Sequence, residues 1–187
     1  VKVSVLVADM RAFYELSQRQ LPHELMVLLN RFYDEMNHAI TAHNGKIESF
    51  YGDGLMAIFG PERSERTTSR NAIDAALNML RAVDALNREF ASASPLPLRI
   101  GIGIETGEAI VGTVESASAP ARAVTVGETV MIAGQIEAST RRFMADLIIS
   151  DATLVASGRS YPEAAKHVLA IKGRQKSVTV HALHGAE

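Results

Sequence analysis

Apolar residues near the start of the chain form first a strand pattern and then a helical one. Residues 3–8 are almost entirely apolar and rich in β-branched side chains, and the run ends at Asp9. Such a run predicts a strand that is buried on both faces and carries a carboxylate at its C-terminal end. The next apolar residues recur every three or four positions: Leu25, Leu28, Leu29, Phe32, Met36 and Ile40. This spacing predicts a helix over Pro22–His43, with Asn44 and Gly45 as its stop.

The middle of the chain has the pattern of a hairpin followed by a second helix. Lys46–Phe50 and Leu55–Phe59 are short apolar runs separated by Tyr-Gly-Asp-Gly, which is typical of two antiparallel strands joined by a tight turn. From about Thr68 to Phe90 the apolar spacing again becomes helical. We therefore expect a strand, a helix, a hairpin and a helix in this order.

In the following strand, two of the positions between the apolar residues are glycine. Leu98–Ile104 alternates apolar residues with Arg99, Gly101 and Gly103, so one face is nearly bare and allows close approach of backbone or ligand. We predict a turn at residues 106–108, a strand over 109–114 and a flexible connection over 115–121. A short strand over 124–126 and a helix to about Phe143 follow. Further strands are predicted over 147–150, 168–171 and 178–183.

This order of elements predicts an α+β fold. Its core is a ferredoxin-like βαββαβ arrangement, with helices packed on a mixed sheet. The length of 187 residues suits a single domain over residues 1–187. Because the chain begins with Val1 and not Met, we expect this domain to be a piece of a larger protein.

Composition excludes several classes of function. The absence of cysteine excludes disulfides, thiolate zinc sites and a cysteine nucleophile. A net charge of −2 implies no basic face, so we expect no nucleic-acid partner. No apolar run approaches the ~20 residues of a membrane span, and no signal peptide opens the chain. We therefore expect a cytoplasmic domain without a membrane segment.

Two aspartates are the candidate metal ligands. Asp9 ends the first strand, and Asp53 lies in the turn of the hairpin. If these elements are neighbours in one sheet, both carboxylates lie at the same edge and can hold one or two hard cations such as Mg²⁺. The alternative is purely structural, with Asp53-Gly54 a favourable turn dipeptide and Asp9 a helix cap.

The residues around both aspartates resemble the metal-binding motifs of class III nucleotide cyclases, the adenylate and guanylate cyclase catalytic domains. The resemblance covers nearly the whole chain in a fixed order and spacing. Its motifs are Val5-Leu-Val-Ala-Asp-Met-Arg-Ala-Phe13, Leu28-Leu-Asn-Arg-Phe-Tyr33, Phe50-Tyr-Gly-Asp-Gly-Leu-Met-Ala-Ile-Phe-Gly60, Arg99-Ile-Gly-Ile-Gly-Ile-Glu-Thr-Gly-Glu-Ala-Ile-Val-Gly112, Val126-Gly-Glu-Thr-Val130 and Ile171-Lys-Gly-Arg174.

The resemblance implies a head-to-tail dimer with its active sites at the interface. In that family, one subunit holds two Mg²⁺ or Mn²⁺ ions, here through Asp9, Asp53 and the Met10 carbonyl. The resemblance also implies contacts to the triphosphate, and the positions concerned are Arg11, Ala12 and Phe13 through their backbone amides, and Lys172. The implied reaction is attack of a ribose 3′-oxygen on the α-phosphate of a purine nucleoside triphosphate, with release of pyrophosphate.

The chain departs from the family at the groups that the other subunit supplies. Ser49 stands where a lysine reads the purine, and Val124 where an acidic residue or threonine does so, although Thr125 fits if the register shifts by one. Met131 replaces an asparagine that orients the ribose, and Gln135 replaces an arginine that holds the transition-state phosphate. Two nearby cations, Arg122 and Arg141, are candidate substitutes.

Three functions fit these residues. The first is a cyclase domain that keeps the metal half-site, is weak or inactive as a homodimer and reaches full activity in a heterodimer with a complementary subunit. The second is a non-catalytic regulatory or nucleotide-sensing module with the same fold. A metal-dependent phosphohydrolase or polymerase palm uses similar aspartates, but the later motifs disfavour it. With the purine readers replaced, the sequence does not distinguish ATP from GTP.

Overall fold

The computed structural model describes residues 1–94, 96–116, 119–173, 175 and 177–184. Its nine strands and five helices within these residues are, in chain order, β1 (Lys2–Met10), α1 (Phe13–Arg19), α2 (Pro22–Ala42), β2 (Gly45–Tyr51), β3 (Gly54–Phe59), α3 (Glu65–Glu89), β4 (Ile100–Glu108), β5 (Ile110–Ser116), β6 (Ala119–Val126), α4 (Glu128–Phe143), β7 (Leu147–Ser150), α5 (Asp151–Ser157), β8 (Ala165–Leu169) and β9 (Val178–Leu183).

Seven strands form one mixed sheet in the order β2-β3-β1-β4-β7-β9-β8. The β4–β7 pair is parallel and the other pairs are antiparallel. The first four strands have the order and connections of a ferredoxin-like unit, so the predicted α+β fold with helices packed on a mixed sheet is confirmed. Strands β5 and β6 pair separately as an antiparallel hairpin, called the arm below.

Both faces of the sheet are covered, which explains the continuous apolar run in β1. Leu6, Ala8 and Met10 join the largest apolar cluster, together with residues of α2 and α3. Val3, Val5 and Val7 join a different cluster, which includes Val130 and Ala133 of α4. Alternate residues of a strand point to opposite faces, so α4 lies on the face opposite α2 and α3.

The bare face of β4 is where helix α4 packs. A Cβ atom built on Gly103 would lie 2.3 Å from the backbone nitrogen of Glu137, and one on Gly101 would lie 2.4 Å from Oγ1 of Thr140. These distances are far below van der Waals contact, so only glycine permits this helix-to-strand approach. The predicted close approach is therefore confirmed, and its partner is helix backbone.

Residues that suit the first turn or the N-cap explain where α3 and α2 begin. The hydroxyl of Ser64 accepts a hydrogen bond from the amide of Thr67 at 3.2 Å, so α3 begins three residues before the predicted start. Pro22 lies in the first turn of α2, as predicted, and α2 ends at Ala42. None of the helices in the described ranges is both long and apolar enough to cross a bilayer.

Several element predictions were wrong. Residues 106–108 continue β4 because Lys2–Ser4 of β1 pair with them, so no turn forms there. Within the segment 115–121, residues 115–116 and 119–121 belong to the strands of the arm, in which Ser116 pairs with Ala119, and residues 117–118 lie outside the described residues. Short helices α1 and α5 were not predicted, because seven residues give too few turns for a visible apolar period. Strand β8 lies at 165–169, slightly before its predicted position.

Replacement of Gly103 by alanine should destabilise the fold, because the added methyl group meets backbone atoms of Glu137 and Ala133 that cannot rotate away. Overpacking of this kind costs about 1–3 kcal/mol, and contact with backbone favours the upper end. Chemical denaturation of Gly103→Ala measures the loss.

The matched control is Gly134→Ala in α4, where no atom lies within 4 Å of the position that the added methyl group would take. Here we expect a gain of about 0.5–1 kcal/mol from helix propensity. Equal unfolding free energies for the two variants would contradict the close packing of α4 on β4.

Candidate active site

Pairing between β1 and β3 brings the two candidate metal ligands to one edge of the sheet. Asp9 lies opposite Gly54 in the register, and the amide of Met10 donates a hydrogen bond to the carbonyl oxygen of Asp53 at 3.0 Å. Gly52 has φ 61°, which lets the chain turn sharply just before Asp53. The structure thus brings together Asp9, Met10 and Asp53, as the sequence predicted.

Two tyrosines hold the hairpin that carries Asp53. The hydroxyl of Tyr33 in α2 donates a hydrogen bond to the carbonyl of Gly52, and its ring packs edge-on against Phe50 at 4.8 Å between centroids. The hydroxyl of Tyr51 donates to the carbonyl of Leu55 at 3.2 Å. Burial, with smaller contributions from Glu137 and Asp9, raises the pKa of Tyr51 to about 12. Both hydroxyls therefore stay protonated and act as donors at neutral pH.

An arginine of α4 reaches the same edge. Nη2 of Arg141 lies 2.6 Å from Oδ2 of Asp9, and Nη1 lies 3.9 Å from Oε1 of Glu137. The sequence suggested Arg141 as a replacement for a group of the other half-site, yet the structure pairs it with a metal-ligand candidate of its own chain. Sequence reasoning had no signal for this pair, which lies 132 positions apart.

Glu137 is a third carboxylate at the site and was not predicted. Its side chain is buried under α4, close to Gly101. Burial, with a smaller contribution from the Asp9 charge, raises the pKa of Glu137 to about 7, against the opposing effect of Arg141. The pKa of Asp53 is also raised, first by burial and then by Asp9. The positive charge of Arg141 therefore does not fully offset the effects of burial and of the Asp9 charge on the pKa values of Glu137 and Asp53.

The donor set fits a hard cation that completes its shell elsewhere. Asp9 and Asp53 supply carboxylate oxygens, and Mg²⁺ or Mn²⁺ takes its remaining ligands from carbonyls, water or phosphate. Across the described ranges, no three His, Asp or Glu side chains converge on one point, so a cage made only of side chains is absent. Burial is the main cause of the raised pKa of Asp53, whereas the guanidinium of Arg141 on Asp9 shows that a positively charged group reaches these carboxylates.

The segment after β1 starts α1 through an unusual backbone turn. Ala12 has φ 55° and is the N-cap of α1, so the first amides of the helix, beginning at Phe13, have no partner within it. Arg11 is engaged elsewhere: its amide donates to the Arg99 carbonyl at 2.8 Å, and its guanidinium donates to the Ala145 carbonyl. Of the predicted phosphate contacts, Ala12 and Phe13 remain free to bind through their amides in this conformation.

Lys172 lies beside a position that departs from the family pattern. Its amide donates to Oε1 of Gln135 at 2.8 Å, and Nε2 of Gln135 donates back to its carbonyl at 3.3 Å. The side chain of Lys172 is exposed. Arg174, the last residue of this motif, lies outside the described residues. Gln135 therefore anchors the loop that carries Lys172 to α4.

The positions predicted to read the base lie on a separate surface between β2 and the arm. Ser49, Val124 and Arg122 line an open groove of about 420 Å³. Thr125 is buried, and its amide donates to Oε1 of Glu48 at 2.7 Å while its hydroxyl donates to Oε2. In the sequence, nothing marks Glu48 except its position next to Ser49. Because this carboxylate occupies both donors, Thr125 has none left for a purine in this conformation.

The buried carboxyl of Glu137 predicts a dependence of stability on pH. Its pKa of about 7 in the folded chain exceeds the usual glutamate value of 4.5, so the folded state binds more protons between these values. Stability should therefore fall as pH rises from about 4.5 to 7. Glu137→Gln should remove this loss and raise the unfolding free energy at pH 8 by about 1–3 kcal/mol, with little change at pH 4.

Urea denaturation at pH 4, 6 and 8 measures the effect. Glu62→Gln, a substitution at an exposed glutamate in the loop after β3, is the matched control and should leave the pH profile of the wild type intact. A Glu137→Gln profile parallel to that of the wild type would show that this carboxyl does not titrate near pH 7.

Comparison with known proteins agrees with the fold and the motifs. The family model described as "Adenylate and Guanylate cyclase catalytic domain" matches residues 1–185. An adenylate cyclase of Anabaena cylindrica is 28% identical over an alignment of 189 residues that covers 96% of this chain and 36% of that protein. The adenylate cyclase, terminal-differentiation specific, of Dictyostelium discoideum is 27% identical over an alignment of 184 residues that covers 96% of this chain and 8% of that protein.

A solved structure gives the same result at the level of coordinates. The crystal structure of the guanylyl cyclase Cya2 superposes with a TM-score of 0.88 at 28% identity, covering 100% of this chain and 93% of that one. The chain therefore spans about a third or less of the two curated relatives but nearly all of this structure. The chain belongs to the adenylate and guanylate cyclase catalytic domain family.

Proposed function

We propose that this chain is a nucleotide cyclase domain that contributes the metal and triphosphate half of an active site and takes the other half from a complementary subunit. The observation that supports this most is an asymmetry within one fold. Asp9 and Asp53 lie at one edge of the sheet, whereas Met131 and Gln135 occupy the positions of the ribose and phosphate ligands. Loss confined to one half indicates specialisation and not general decay.

The carboxylates give this half its chemistry. Asp9, Asp53 and the carbonyl of Met10 would hold two Mg²⁺ or Mn²⁺ ions, with phosphate and water as the other ligands. When bound, such ions stabilise charge on the attacking and leaving oxygens at phosphorus. The tyrosine contact to Gly52 keeps Asp53 beside Asp9, which limits the reorganisation needed on binding.

Backbone and lysine donors complete the triphosphate half. The amides of Ala12 and Phe13, at the start of α1, follow the end of β1 that carries Asp9, and such amides suit phosphate oxygens. Lys172 adds an exposed ammonium group on a loop anchored by Gln135. These groups bind and orient the substrate, a purine nucleoside triphosphate, but none of them reads the base.

The second half lacks the groups that stabilise the transition state. Met131 is 41% exposed and offers only a thioether where a ribose hydroxyl needs a hydrogen-bonding amide. Gln135 is neutral, and both ends of its amide are bonded to Lys172. Loss of one electrostatic donor typically lowers the rate about 10²–10³-fold, so a self-paired dimer should be almost inactive.

Exposed apolar residues on the arm and α4 supply a surface for a second cyclase domain. Ile110, Val114, Val126 and Met131 are each more than 40% exposed. Contiguous exposed apolar patches on a protein surface mark sites of protein contact. We propose that a partner domain covers this face, either as a homodimer or, for full activity, as a heterodimer.

Cyclic nucleotide production tests the proposal directly. The purified chain with Mn²⁺ and ATP or GTP should show little turnover by itself. Addition of a second cyclase domain that carries the lysine, asparagine and arginine but lacks the metal aspartates should raise turnover by at least about 10²-fold. Asp53→Ala in this chain should abolish that gain, because the cation ligands are then incomplete.

The outcomes separate the alternatives. High activity of the chain alone would show that other residues replace Met131 and Gln135. Failure of complementation, with Mn²⁺ and nucleotide binding retained by calorimetry, would favour a nucleotide-sensing module. Failure of both binding and turnover would favour a regulatory domain that keeps only the fold.

Restoring the missing groups provides a gain-of-function test. Met131→Asn with Gln135→Arg should raise the Mn²⁺-dependent activity of the self-paired chain by at least about 10-fold, since each group supplies a transition-state contact. Ser49→Lys added to this pair should create a preference between ATP and GTP. The same substitutions combined with Asp53→Ala should give no activity, and any increase there would contradict the two-half scheme.

A further inference from the structure

Arg141 is the positively charged group nearest the candidate metal ligands in this structure. Its Nη2 donates to Oδ2 of Asp9 at 2.6 Å, a charge-assisted hydrogen bond. This bond also raises the pKa of Arg141. In this state, an oxygen that would bind a divalent ion is instead bound to a guanidinium.

The position of Arg141 follows from the packing of α4. Close contact of this helix with Gly101 and Gly103 lays its C-terminal half over β4, next to β1. Glu137 lies one turn earlier on the same face and contacts Arg141 at 3.9 Å. The arginine is thus held between a buried carboxyl and Asp9, and the pair is built into the fold.

We propose that Arg141 is an intramolecular competitor of the divalent cation, which must displace it from Asp9 in order to bind. The proposal rests on the proposed metal half-site. It deepens that function by naming a residue that sets the cation concentration at which the site fills. A displaced guanidinium stays beside Glu137, so it remains near the incoming phosphates without holding Asp9.

The strength of this competition is modest because the pair is partly solvated. The side chain of Arg141 is 52% exposed and that of Asp9 21% exposed. Partly exposed ion pairs are worth between a few tenths and about 1 kcal/mol, which corresponds to a two- to fivefold change in cation affinity. A change of this size raises the cation concentration at which the site fills, but it does not prevent the site from filling.

Calorimetric titration of Mn²⁺ into the purified chain tests the proposal. Arg141→Gln should bind Mn²⁺ about two- to fivefold more tightly than the wild type at equal ionic strength. Arg142→Gln is the matched control, because it removes the same charge from the next position. There, Cζ of the guanidinium lies 5.2 Å from the centroid of the Phe143 ring. This substitution should leave the Mn²⁺ affinity unchanged. Asp53→Asn added to Arg141→Gln should remove the tighter binding.

Thermal unfolding supplies a second readout that is independent of turnover. In EDTA, Arg141→Gln should have a lower Tm than the wild type, because Asp9, Asp53 and Glu137 then lose one of the guanidinium groups that offset their charge. Saturating Mn²⁺ should remove this difference in Tm. Arg142→Gln should have the same Tm as the wild type both in EDTA and in saturating Mn²⁺.

Each other outcome overturns a defined part of the scheme. If the wild type binds Mn²⁺ and Arg141→Gln binds it equally or more weakly, the competition is absent and the metal half-site stands. An equal gain in Arg142→Gln would assign the effect to general charge and not to the Asp9 contact. If neither the wild type nor Arg141→Gln binds Mn²⁺, the metal half-site and the competition both fail.

Discussion

The register between β1 and β3 is the constraint on which the candidate site depends. It sets Asp9 opposite Gly54 and therefore beside Asp53 in the turn. Because side chains alternate along a strand, a slip of one residue would move Asp9 to the face covered by α2 and α3. The buried valines on one face of β1, and Leu6, Ala8 and Met10 on the other, prevent this slip.

Helix α4 is the second element that shapes the site, and its influence depends on two missing side chains. Gly101 and Gly103 let its backbone reach the sheet at distances that any Cβ would block. This approach brings Glu137 and Arg141 to the carboxylates of the same chain. Residues nearer its start, Met131 and Gln135, stand at the positions for which the proposed function takes ligands from a partner subunit. One helix thus connects the proposed metal half-site with the positions proposed to depend on a partner.

Charge is the main property of the candidate site at the end of β1. Asp9, Asp53 and Glu137 lie near one another in a partly buried region, and burial raises the pKa of the last two. Arg141 is paired with Asp9, and both Arg141 and Arg11 oppose the raised pKa of Glu137. This concentration of carboxyl groups is what the proposed cation site depends on.

Sequence by itself determined the α+β fold, the main helices and strands, and the position of both aspartates. These features follow from short-range periodicity and from motifs whose spacing is visible along the chain. It did not determine α1, the continuation of β4 through residues 106–108, or the paired arm over part of 115–121, because short elements and edge pairing have weak local signals. Only tertiary structure decided the contacts of Arg141 with Asp9 and of Glu48 with Thr125. These pairs join residues 132 and 77 positions apart, so their geometry exists only after the sheet and α4 have packed.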